Sequence, residues 1–163
     1  MTTLDFELNK LWVDGTVGFD LAPDVVTVRG DLVLKVDAKE VPGLRAPGQE
    51  PVINDWLLDL HKLMRPRHAD VEFDPRPLVP ERIRLIRKGE QSILRVTKGR
   101  RPVVGFEGIT LEHAQVVEMV GRFELRVKEL LLGLATADQA AKWWRGKTID
   151  SIDQAGIWQG KKK

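Results

Sequence analysis

Over residues 70–74 and again over 82–85 the chain alternates charge with apolarity, and a single strand register satisfies both patterns, which limits the fold more than any other feature. Asp70, Glu72 and Asp74 alternate with Val71 and Phe73, and Arg82 and Arg84 alternate with Ile83 and Leu85. A period of two sends every second side chain to the same face of a strand. Setting Asp74 opposite Arg82 aligns Phe73 with Ile83, Glu72 with Arg84 and Val71 with Leu85. One face is then apolar, while the other carries opposite charges that attract across the strands. Gly89-Glu90 is a two-residue hairpin signal, and it pairs Leu85 with Leu94 and Ile83 with Val96. The same register puts Arg84 beside Arg95, a like-charge contact that Glu72 is placed to relieve. A final strand is expected over 103–107, after the Gly99-Arg100-Arg101-Pro102 turn.

Ahead of this meander, Leu4, Phe6 and Leu8 alternate with Asp5, Glu7 and Asn9 as in a half-buried strand. Asp14-Gly15 predicts a turn into a second strand near Thr16 to Leu21. Residues 25–28 and 32–36 are expected to form a hairpin whose loop, Arg29-Gly30-Asp31, places Val28 beside Leu32. Proline and glycine at 42, 43, 47, 48 and 51 mark loop, and Pro51 suits the first turn of a helix. In that helix, 52–65, Ile53, Trp56, Leu57, Leu60, Leu63 and Met64 recur on one side, and Pro66 ends it.

A second helix is predicted over 111–134, capped by Thr110 and buried along Val116, Val120, Phe123, Val127, Leu130 and Leu134. Thr136-Ala-Asp-Gln139 reads as a capping box for a short third helix. The expectation is one α+β domain over 1–163: an antiparallel, mostly meandering sheet of seven or eight strands, packed on one face by two main helices. Residues 136–163 form a helical C-terminal extension ending in a frayed tail, Lys161 to Lys163.

Composition removes several chemistries. There is no cysteine, so disulfides and thiolate sites are excluded. His61, His68 and His113 lack the one-turn spacing of a zinc helix, and Ser92 and Ser151 lie in no Gly-x-Ser-x-Gly elbow. Gly146-Lys147-Thr148 resembles the end of a phosphate loop but lacks the earlier glycine. Asp70, Glu72 and Asp74 together suit a hard cation, but the arginines of the next strand compete for the same oxygens. No metal, no other cofactor and no catalytic residue is therefore expected.

No apolar run reaches the roughly 20 residues that cross a bilayer. The acidic opening, Met1-Thr-Thr-Leu-Asp-Phe-Glu, lacks the basic flank of a secretory signal, so a cytoplasmic protein without a membrane partner is expected.

Charge is uneven: residues 1–60 hold 5 Lys/Arg against 11 Asp/Glu, and 61–163 hold 21 against 13. Arg95, Lys98, Arg100 and Arg101 remain after the meander is paired, and they are the candidate site for phosphate or nucleic acid. Aromatic residues do not interleave with them, which disfavours single-strand recognition. Trp143, Trp144 and Trp158 are the candidate anchors for a protein partner or for self-association: adjacent helical tryptophans point about 100° apart, so if one faces the core the other falls at its edge, and packing of both in the core is the equal alternative.

The reading is a noncatalytic protein-interaction domain, whose outline is similar to inhibitor or immunity-type proteins of bacteria. The alternative is an anion or nucleic-acid binder through 95–101. A hydrolase or transferase with an unfamiliar carboxylate site comes third.

Overall fold

The computed structural model describes residues 2–14, 26–44, 50–73 and 79–147. Along these the order is β1 (Leu4–Asp14), β2 (Thr27–Val36), β3 (Lys39–Glu40), α1 (Ile53–His61), β4 (His68–Glu72), β5 (Glu81–Lys88), β6 (Gln91–Lys98), β7 (Arg101–Pro102), β8 (Ile109–Glu112), α2 (His113–Leu132) and α3 (Ala137–Lys147). The fold is α+β, and its eight described strands form two antiparallel sheets, β1-β2-β3 and a five-stranded one. The strand expected near Thr16 to Leu21, Asp74 with its expected place opposite Arg82, Trp158 and the lysine tail lie outside the described residues.

The register derived from residues 70–96 is the one adopted. Val71 faces Leu85 and Glu72 faces Arg84, and the Phe73 N–H donates to Ile83 O at 2.9 Å. Across the Gly89-Glu90 turn Leu85 faces Leu94, Ile83 faces Val96 and Arg84 faces Arg95. Gly89 has φ +65°, the left-handed value that this tight turn requires.

Four expectations are corrected. Residues 27–36 are one strand and not a hairpin: β2 runs its length against β1, with Leu8 opposite Leu32 and Leu11 opposite Gly30. Two β1 residues, Asn9 and Lys10, oppose the single Asp31, a bulge that turns both Leu8 and Leu11 inward. Gly30 is therefore a close-approach residue. A Cβ there would lie 2.8 Å from Leu8 Cδ1 and 3.0 Å from both Ile53 Cδ1 and Leu11 Cδ2.

Second, the strand expected at 103–107 is interrupted. β7 pairs with the end of β6, residues 103–106 make a turn closed by the Phe106 N–H on Val103 O at 2.9 Å, and β8 then resumes along β6. Gly105, at φ +89°, permits that turn. Third, Thr110 is a strand residue opposite Ile93, and α2 starts directly from β8 at His113 with no side-chain cap. Fourth, the buried seam of α2 passes through Val127 to Leu131, whereas Leu134 is beyond the helix and exposed.

The capping box of α3 is formed: Gln139 N–H donates to Thr136 Oγ1 at 3.2 Å, and Thr136 N–H to Gln139 Oε1 at 3.0 Å. α1 is tied to β2 by buried Asn54, whose Oδ1 accepts from Val28 N–H at 3.0 Å while Nδ2 donates to Val26 O at 2.8 Å. The inward residues of both sheets and the three helices share one hydrophobic cluster. Within it Trp56 stacks on Phe73 at 4.3 Å, and Phe123 packs edge-on to Phe6 at 5.3 Å. α2 lies along the outer edge of β1, where Arg126 Nε donates to Leu8 O at 3.2 Å and Arg122 bonds Asp5 Oδ1 at 2.6 Å. An edge with occupied carbonyls is a poor template for a further strand. No helix among the described residues is long and apolar enough to cross a membrane.

Candidate functional site

Val71, Ile83, Leu85, Leu94, Val96 and Leu111 of the five-stranded sheet face the core, and period two sends Asp70, Glu72, Arg82, Arg84 and Arg95 to the opposite face, which they share with half-buried Ile86 and Ile93. On that face Glu72 of β4, Arg84 of β5 and Arg95 of β6 form one row across the sheet, and Arg82 and Thr97 start the next. Pro102 of β7 continues that second row. These residues, with Glu107 from the segment between β7 and β8, line a hollow of about 340 Å³.

The three guanidiniums in the hollow are held differently. Arg84 makes a bidentate pair with Asp70, Nε to Oδ1 at 2.6 Å and NH2 to Oδ2 at 2.7 Å, and that hydrogen-bonded charge raises the Arg84 pKa above its ordinary value. Its partner is thus the diagonal Asp70 and not Glu72, which lies directly opposite. Arg82 turns back to the backbone, donating to Val79 O and, at 3.0 Å, to Glu81 O. Arg95 is exposed and has no hydrogen bond or ion pair among the described residues. Glu107 accepts the Gly105 N–H at 2.9 Å, which lowers its pKa and keeps it ionised at neutral pH.

The candidate cluster of Arg95, Lys98, Arg100 and Arg101 is divided. Arg95 stands on the open face. Lys98 and Arg101 pair with each other at the end of β6 with the opposite side-chain parity, and Arg100 lies in the exposed turn between them. Residues Arg82, Arg84 and Glu107 complete the site and were not among the candidates. The parity of 82, 84 and 95 was present in the sequence; the approach of Glu107 depends on the turn at 103–106, which was not.

Trp143 and Trp144 are both 0% exposed, so of the two alternatives it is core packing of both that is adopted, and neither stands at an edge as an anchor. Helix α3 packs on both α1 and α2, and Trp143 Nε1 donates to Val26 O, just before β2, at 3.4 Å. More than 100° of its circumference is therefore inside. Asp70, considered as a cation ligand, spends both oxygens on Arg84.

The one serine–histidine contact among the described residues is Ser92 Oγ to His113 Nδ1 at 2.9 Å. Their side chains are buried, Ser92 at 1% and His113 at 4% exposure, so the pair joins β6 to the start of α2 with no access for a substrate. Burial, then the nearby Arg87 charge, lower the His113 pKa from its ordinary 6.5, against a smaller opposing effect of Glu90. The folded state therefore prefers neutral His113, and the stability this carries is present above 6.5 and is lost as the unfolded chain takes up a proton below it. Urea denaturation at pH 7.5 and 5.5 should show a larger loss for the native chain than for His113→Gln; equal losses would contradict this origin.

No protein-family model matches this chain, and no curated protein or solved structure matches it.

Proposed function

We propose that this protein is a noncatalytic binding domain that recognises a partner protein through the face of its five-stranded sheet that no described helix covers. The observation that carries the reading is the construction of that face: three arginines in a central stripe, acidic residues on both sides, and Arg95 without a counter-charge among the described residues. Charge patterns of this kind set the orientation of a partner and reject wrong ones. A domain of this type acts by covering its partner, as an inhibitor does. The burial of Trp143 and Trp144 moves the proposed contact away from α3. The reading includes a cytoplasmic location, which cell fractionation tests.

Affinity capture by the native chain and by Arg84→Glu/Arg95→Glu is the test. Both substitutions are at exposed positions, and a thermal melt checks that the double variant folds. A partner retained by the native chain and released by the double variant is the expected result. A set of partners unchanged by the double variant would contradict the reading.

Lys98, Arg100 and Arg101 favour a second reading, binding of nucleic acid or a phosphate anion, because they cluster at one turn with no ion pair among the described residues. Such binding rests on counterion release, so retention on immobilised DNA should fall steeply with salt. No retention at low salt would eliminate it.

A further inference from the structure

We infer that Arg95 is the anchor of the open face and that it receives a single carboxylate side chain, aspartate or glutamate, from the partner. This rests on the proposed function and names its chemistry.

Of the three guanidiniums in the hollow, Arg84 is charge-paired to Asp70 through two of its donors and Arg82 is turned to backbone carbonyls. Arg95 keeps its planar fork of donors, and that fork matches a carboxylate in bidentate geometry. Arg84 lies beside it in the ladder, so an anion placed on Arg95 also relieves a like-charge contact. The next position across the sheet is Gly108, where a Cβ would lie 3.7 Å from Arg95 Nε; a glycine there leaves that flank of the guanidinium uncovered.

The rest of the lining decides which anion fits. Arg82, Arg84 and Arg95 give three positive charges, and Glu72 and Glu107 give two negative ones. Asp70, paired to Arg84, brings the group to zero. A polyanion laid over the hollow would meet Glu72 on one flank and the ionised Glu107 on the other. One carboxylate entering between them meets Arg95 alone, and the acidic flanks are then positioned for basic residues beside it on the partner. A central arginine with a polar surround that excludes water is also how binding energy concentrates in protein interfaces.

The test uses the full chain and the capped peptide acetyl-Gly-Glu-Gly-amide, followed by amide NMR titration. Shifts should concentrate at Arg84, Arg95 and Thr97, and Arg95→Ala should weaken binding by about tenfold or more, as expected for a lost charge-assisted hydrogen bond. The triple variant Lys98→Ala/Arg100→Ala/Arg101→Ala should bind within about twofold of the native chain, a separation that follows from additivity at independent sites. Oligothymidylate should not displace the peptide. Peptide affinity unchanged in Arg95→Ala, peptide binding lost in the triple variant, or displacement by oligothymidylate would each overturn the inference. A partner released by Arg84→Glu/Arg95→Glu but fully held by Arg95→Ala defeats the assignment to Arg95 alone; a partner held by both defeats the reading of the face itself.

Discussion

Trp143→Ala should destabilise the protein by about 3–5 kcal/mol, the usual cost of emptying a buried aromatic site. The indole is 0% exposed, sits one residue from the equally buried Trp144, and donates to Val26 O at the entry to β2. Its removal opens a cavity where α3 meets the three-stranded sheet and leaves that carbonyl without its indole donor. The midpoint of thermal unfolding should fall by roughly 6–20 °C for a chain of this size. Urea denaturation checks the energy directly. An interface tryptophan would behave in the opposite way, with stability within about 0.5 kcal/mol of the native chain and a loss of association. That second pattern would return α3 to candidacy as a binding element.

Gly30→Asn should be nearly as damaging. Asparagine is well tolerated at a turn glycine, since it adopts the left-handed region more readily than other residues with a Cβ. In mid-strand β2 its Cβ would instead enter a space bounded by Leu8, Leu11 and Ile53, with the nearest atom at 2.8 Å. Overpacking of this kind costs about 1–3 kcal/mol. The buried amide adds a similar amount if it finds no partner among those methyl groups, about 1–3 kcal/mol. Retention of native stability in Gly30→Asn, measured by the same denaturation, would contradict the continuous strand.

The two sheets were not equally legible in the sequence. For residues 70–96 the apolar and the charged faces are separate constraints that agree on one register, and that register is observed. For 26–36 only the apolar face speaks, and it is ambiguous. Val26, Val28, Leu32, Leu34 and Val36 keep period two through Gly30 in a straight strand, yet a three-residue loop brings Val28 beside Leu32 just as well. Glycine suits both, and the pairing with β1 decides between them.

The two proposed caps differ in the same instructive way. Thr136 has Gln139 at the position that closes a box, and the box forms. Thr110 has His113 there, and the Ile109-Thr-Leu-Glu segment gains more by pairing with β6 and burying Leu111. Of the candidate site, Arg95 was legible, because its place on the charged face follows from the register. Which acid would hold Arg84 was not: strand twist lets the long arginine reach the diagonal Asp70 past the directly opposed Glu72. Glu107 required the turn at 103–106, whose only sequence marker was Gly105.

The claim on which the function rests is that Arg95 is a cation with no counter-charge among the described residues, on a sheet face that no described helix covers, while its neighbour Arg84 is locked to Asp70. Arginine modification of the native chain with phenylglyoxal, followed peptide by peptide by mass spectrometry, measures this most directly. Arg95 should react well ahead of Arg84, and Asp70→Asn should raise the rate at Arg84 without changing Arg95. Equal protection of Arg95 and Arg84 in the free protein would mean that the hollow is already filled or covered, and the account would fail.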